Sequence, residues 1–253
     1  MAYNYPDLEF DDLSRAFSTA SFNVSELSNK IATETDKPIG ELRTSDFIDY
    51  TRETEPVEFV PYAFKGKMAE IFGGSIMIAG NGLVEIGYNS SVNEGRQHFT
   101  ILHEVNHLYN DVPRGMAGES FSDVINQGAY SEQEQYREAI ANFGAAIMQI
   151  PDEPLFRMIC EGASIEGDFS NEFQSSYAAN FTRVRDYLIF NYQVTPTVAY
   201  ELTKDYRYHP HENVIRKWFS QHIHDRMALF DLLSRVVLNM DRFSPYTPKY
   251  IIL

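Results

Sequence analysis

A single cysteine, Cys160, occurs in the 253 residues. That excludes an intramolecular disulfide framework and any zinc site built from cysteine pairs, so a metal would have to sit on histidines and carboxylates. Basic residues are also scarce, 21 Lys plus Arg against 36 Asp plus Glu, for a formal charge of -15. Phosphate neutralisation needs a surplus of Lys and Arg, so this balance argues against direct binding of nucleic acid. Long hydrophobic runs are missing too. The longest uncharged apolar stretch, 71–84, is cut by Gly73, Gly74, Gly80 and Gly82 and falls short of the ~20 residues a membrane helix needs. The opening MAYNYPDLEFDD has neither a basic nor an apolar signal region, so a soluble, cytoplasmic protein is expected. With 14 Gly, 11 Pro and 43% hydrophobic residues, the composition is that of a folded protein with a substantial core rather than a disordered tail.

What is present divides the chain into three parts: an N-terminal helical segment over 1–56, a core over 57–155 and a helical C-terminal domain over 156–253. In the first, Leu8, Phe10, Leu13 and Phe17, then Val24, Leu27 and Ile31, carry helical spacing in two pieces, broken by TDKPIG at 35–40. From Val57 to Asn89 the pattern changes to short β-rich runs. Asn81-Gly82, between SIMIAG and LVEIGYN, is a two-residue hairpin signal, and two to four antiparallel strands are expected. From about Gly95 the helical period returns through Asp111, with Phe99, Leu102, Val105, Leu108 and Tyr109 as its apolar stripe. The stretch DVPRGMAGESFSDVINQGAY reads as loop with at most one short helix. Ser131 with Glu134 forms a capping box for a further helix, whose buried stripe is Tyr136, Ile140, Phe143, Ile147 and Ile150, ended by Pro151 and Pro154. Helices follow at about 175–192, 196–206 and 211–239. The pair YLIFNYQVTPTVAYELTKDY has helix-turn-helix spacing, a shape that more often means two packed helices.

Chemistry enters with His103-Glu104-Val105-Asn106-His107, an H-E-x-x-H motif inside the helix FTILHEVNHLYND. Imidazoles at i and i+4 project from one helix face one turn apart, which suits two ligands of one tetrahedral zinc. Glu104 lies about 100° round the helix, where it can reach the attacking water rather than the metal. A random chain with 7 His and 21 Glu would hold this motif about 0.016 times. A third ligand must be a carboxylate or His, and the helix at 131–150 offers Glu132, Glu134 and Glu138. Glu134 is the capping-box residue and Glu132 lies in the first turn, where acids favour the helix dipole. Glu138 is mid-helix with Asn142 one turn beyond, a pair able to ligate the metal and to orient a ligating His.

Here the chain resembles the metallopeptidases named after ImmA and IrrE. Their pattern runs approximately R-Q-R-F-T-L-A-H-E-L-G-H, then E-x-x-A-N-x-F-A-A-x-L-L-M-P. This chain reads RQHFTILHEVNH over 96–107 and EAIANFGAAIMQIP over 138–151. The likeness covers 57–152 well and extends loosely to about 206. It differs in Asn106 for a small residue, Gly144 for Phe and Gln149 for Leu. It selects Glu138 over its neighbours, because only Glu138-x-x-Ala141-Asn142 fits the register.

The resemblance implies an α+β fold, a small antiparallel sheet packed on the H-E-x-x-H and E-x-x-A-N helices in a zincin-like core. It implies a zinc endopeptidase with metal ligands His103, His107 and Glu138 and catalytic base Glu104. The substrate class it implies is a basic helix-turn-helix repressor, cleaved to release genes of a mobile element or a stress response. The alternative is a non-catalytic metal-containing protein that binds a repressor or antitoxin. His209 and His211, and His222 and His224, read as surface histidines. One of them, or Tyr130, is a candidate donor to the oxyanion.

Overall fold

The computed structural model describes residues 5–112, 120–124 and 131–222. The chain is α+β. A long helix, α1 (Phe10–Thr35), and α2 (Thr44–Thr54) precede β1 (Val57–Tyr62). A short α3 (Lys67–Ile71) then leads into β2 (Phe72–Ile78) and β3 (Val84–Asn89). Next come α4 (Glu94–Asn110), β4 (Ser120–Val124) and α5 (Glu132–Gln149), followed by α6 (Asp152–Glu161), α7 (Asp168–Phe173), α8 (Tyr177–Tyr192), α9 (Pro196–Tyr208) and α10 (Val214–His222).

The sheet has the order β1-β3-β2-β4 and is mixed rather than antiparallel throughout. β2 pairs antiparallel with β3 and β4, but β1 runs parallel to β3, with Val57 opposite Val84 and Tyr62 opposite Asn89. Alternation in a strand reports which face is buried, not the direction of the neighbour, so the parallel edge had no signature in the sequence. The hairpin between β2 and β3 is also one residue longer than the Asn81-Gly82 signal suggests. Gly82 N–H donates to Ala79 O (2.9 Å) and Ala79 N–H to Leu83 O (2.8 Å), with Gly82 at φ +83. This is a three-residue loop whose glycine occupies the left-handed position of a bulge, open to Gly at little steric cost. A second correction concerns 120–124, expected as loop or helix, which forms the edge strand β4. The segment SFSDV has too few apolar residues to show a burial pattern. Backbone pairing to β2 alone makes it a strand.

Ile76, Ile78, Val84 and Ile86 point from the sheet into the first core, where they meet Ile101, Leu102, Val105 and Leu108 of α4. The two N-terminal pieces join into the single helix α1. Ala16 and Ala20, both fully buried, fill the gap between Leu13, Phe17 and Val24. Alanines are silent to a pattern built on large side chains, yet they let α1 lie close along α5, where Phe17 packs edge-on against Phe143 at 5.4 Å. Asp36 in the left-handed conformation ends the helix ahead of Pro38. The N-terminal segment thus shares one core with the sheet, α4 and α5.

A second cluster begins at Ile150 and gathers Leu155, Ile159, Phe169, Val184, Leu188, Ala199, Tyr206 and Ile215. Phe190 touches both clusters. Pro151 caps the start of α6 and Pro154 lies in its first turn, both beyond the end of α5 at Gln149. α8 and α9 pack together across a turn at Gln193, whose φ is +56. Of the expected long helix over 211–239, the part to His222 is α10 and the rest lies outside the described residues. No described helix is long and apolar enough to cross a membrane.

Candidate metal centre

α4 starts at the N-cap Asn93, whose side chain accepts from Arg96 N–H. α5 starts at Ser131, where the expected capping box with Glu134 is formed. The two helices cross near Asn106 and Gly144, and a Cβ at Gly144 would stand 2.1 Å from Asn106 Oδ1. The two departures from the family pattern therefore compensate one another: the larger Asn106 occupies the space that a side chain at 144 would need. Asn106 Nδ2 donates to Leu102 O at 2.8 Å, which satisfies the buried amide inside its own helix. The third departure is satisfied as well, because buried Gln149 donates from Nε2 to Gly95 O (3.1 Å) at the first turn of α4. The Gln149 bond ties the end of α5 to the start of α4.

Between the helices His103, His107 and Glu138 converge. Nε2 of His103 and Nε2 of His107 are 3.0 Å apart, and each lies 3.3 Å from one oxygen of Glu138. Ligand atoms placed at 2.0–2.2 Å around one tetrahedral centre stand roughly 3.3 Å from each other. The donor set thus fits a metal ion, and it forms the one candidate metal group among the described residues. Both histidines are buried, while the Glu138 side chain keeps 22% of its exposure.

Burial works against a charged imidazole, but the hydrogen bonds it donates to Asp111 and Glu138 outweigh it and push His107 up to about 10. His103 rises for the same kind of reason, with Glu138 overcoming burial and the repulsion of His107. Burial favours a neutral Glu138, yet the two imidazoles hold its carboxyl well below the usual carboxylate range. The carboxylates around the two imidazoles favour positive charge in this pocket, so a metal ion binds there in competition with protons. Metal uptake must displace them.

Asp111, which the sequence reading passed over, orients the second histidine. It caps α4, with its N–H bonded to His107 O at 2.9 Å, and its carboxylate reaches His107 Nδ1 at 2.6 Å. By accepting a hydrogen bond from Nδ1–H, Asp111 leaves Nε2 to face a metal, the usual carboxylate-imidazole support of a ligand. Its signal was present: Asp111 follows His107 by four residues, the same one-turn spacing that joins His107 to His103. Arg137 of α5 lies 4.0 Å from the other oxygen of Asp111. His103 Nδ1 has no hydrogen-bond partner among the described residues. Asn142 does not reach either histidine; its amide donates to Tyr5 Oη at 2.6 Å.

Glu104 is buried to 2% and lies against β2, where a Cβ at Gly74 would come within 2.5 Å of its carboxylate. The glycine creates the room the acid occupies, and the carboxylate is near enough to both imidazoles to raise their proton affinity. His209 is exposed and bonded to Asp205 (3.2 Å), and His211 is exposed, neither belonging to a described metal group. The side chain of His222, His224 and Tyr130 lie outside the described residues.

Residues 83–183, from the start of β3 to the middle of α8, match the family described as the IrrE N-terminal-like domain, a peptidase family. Over these residues the chain is similar to the ImmA/IrrE-type peptidases. The match contains both metal-site helices and extends beyond them into the second core. β1 and β2 fall outside the matched residues. No curated protein matches the chain.

Proposed function

We propose that the protein is a zinc-dependent endopeptidase acting in the cytoplasm on a basic helix-turn-helix repressor, whose cleavage releases genes of a mobile element or a stress response. The observation that carries this reading is the convergence of His103, His107 and Glu138 beside the buried Glu104. The two imidazoles and Glu138 would hold the ion, with Asp111 fixing the orientation of His107. Zinc, when bound, supplies an acidified water and polarises the scissile carbonyl. Glu104 accepts the proton of the attacking water and later delivers it to the leaving amine. Its burial against β2 keeps bulk water from competing for that proton.

The choice of a basic partner is supported by charge. Residues 1–155 hold 25 acidic and 10 basic side chains, whereas residues 156–253 hold 11 of each. All of the excess acid thus lies in the part that carries the metal centre, and a cationic substrate is steered toward it over distances of about a Debye length, ~8 Å at physiological salt. The exposed face of α9 carries Glu201, Lys204 and Asp205, a mixture unsuited to tracking phosphates.

The test is Glu104→Gln, incubated with zinc and small helix-turn-helix repressors, beginning with any encoded beside its gene. The variant keeps bound metal and loses cleavage by about 10²- to 10⁴-fold, the range of general-base contributions. Undiminished cleavage would remove Glu104 from its role. A repressor that binds the parent protein and survives intact would favour the non-catalytic alternative.

A further inference from the structure

Glu138 differs from the other two metal-site residues. His103 and His107 are buried in the body of α4, while Glu138 lies in the second turn of α5 and is partly exposed. A ligand so placed needs something to hold its turn. The residues just before α1 supply it. Gln135, Glu138 and Asn142 are spaced by three and four and form one stripe on α5. Asp7 N–H donates to Gln135 Oε1 at 3.1 Å, and the Gln135 amide donates back to the Asp7 carboxylate. One helical turn on each side of Glu138 is thereby engaged, because the Tyr5 hydroxyl accepts from Asn142 Nδ2 at 2.6 Å and donates to the Glu138 carbonyl oxygen at 3.5 Å.

A phenol has one proton to donate and lone pairs to accept, so both Tyr5 bonds can form at once. The strap is itself anchored. Its ring packs against the first core, Leu8 N–H bonds back to Tyr5 O, and Glu9 with Asp12 forms a capping box at the start of α1.

We propose that Tyr5 is a positioning residue for Glu138, and that the segment 5–9 is a strap that sets the third metal ligand by pinning the α5 turn that carries it. The proposal rests on the reading of His103, His107 and Glu138 as metal ligands. It explains why the N-terminal segment shares the core of the metal-site helices although it contributes no ligand.

The test measures zinc affinity of the full chain by chelator competition, beside the melting temperature of the metal-free protein. Tyr5→Phe keeps the ring and removes both hydrogen bonds, and it should weaken zinc binding about 10-fold, as loss of an outer-shell partner does. Asn142→Ala should give a similar loss, and the double variant no more than either alone, because both remove one linkage. Phe10→Ala, which loosens α1 against Phe190, should lower the melting temperature while leaving zinc affinity unchanged. Parent-like affinity in Tyr5→Phe, with or without a lower melting temperature, overturns the strap. If Glu138→Ala also binds zinc like the parent, the ligand assignment itself falls; if only Glu138→Ala loses zinc, the strap alone is wrong.

Discussion

The two cores share one use of buried polar groups, bonding to backbone, and differ in a second. In the second, several buried polar side chains bond to backbone at turns and helix ends, while Arg185 and Asp186 pair with each other. Arg183 donates from Nε to Ile150 O and pairs with Asp152 at the α5–α6 corner. Asn180 Nδ2 donates to Ile165 O (2.9 Å), and Asn213 Nδ2 to Ile159 O (2.7 Å). Tyr206 Oη donates to Ala163 O (2.5 Å). These bonds lie at helix ends and turns, where a buried carbonyl left unpaired costs about 1–3 kcal/mol. In the first core His103, His107 and Glu138 point at one another instead, around a single point. Nothing in the backbone needs them there. What sets the first core apart is a cluster of three ligand-type side chains that converge on one point.

The largest expected effect falls on the converging set. Glu138→Ala should weaken zinc binding by more than ~100-fold, beyond the range of a supporting residue, whereas Glu132→Ala, in the exposed first turn of the same helix, should leave it unchanged. Zinc content measured on purified protein checks this, and equal occupancy in both would erase the distinction between the regions. In the second core Arg183→Met should reduce stability by about 1–3 kcal/mol in urea unfolding, since it strands the Ile150 carbonyl. Loss of the ion pair adds little, because Asp152 is 43% exposed and rehydrates. Zinc affinity should not change; a parallel loss would mean the α5–α6 corner transmits to the metal site. A smaller effect is expected at Asp111. Asp111→Asn keeps the helix end and should loosen zinc about 10-fold, with thermal stability of the metal-free protein little altered. No change in affinity would make Asp111 a cap only.

Legibility followed the same division. The H-E-x-x-H spacing placed His103 and His107 on one face of α4 because helical geometry is local, and Ser131–Glu134 marked the start of α5 for the same reason. Choosing Glu138 among three acids took the family register; the structure shows why the helix spacing alone was insufficient, since Glu132, Glu134 and Glu138 all belong to α5. Asn142 was expected beside a histidine and is held by Tyr5, a residue 137 positions away. The compensation between Asn106 and Gly144 was equally hidden. Each is an oddity in its own helix, and only the crossing of α4 over α5 makes them one packing decision.

The residues by themselves determined the alternation of helical and β-rich segments, most of the helices, two imidazoles on one helix face and the acidic bias, because periodicity, capping and composition act over a few positions or over the whole chain. Tertiary structure decided the parallel pairing of β1, the edge strand β4, the union of the N-terminal helix with the metal-site core and the partners of Asn142. These depend on which distant surfaces meet, and a strand's alternation or a helix's stripe says only that a face must be covered, not what covers it.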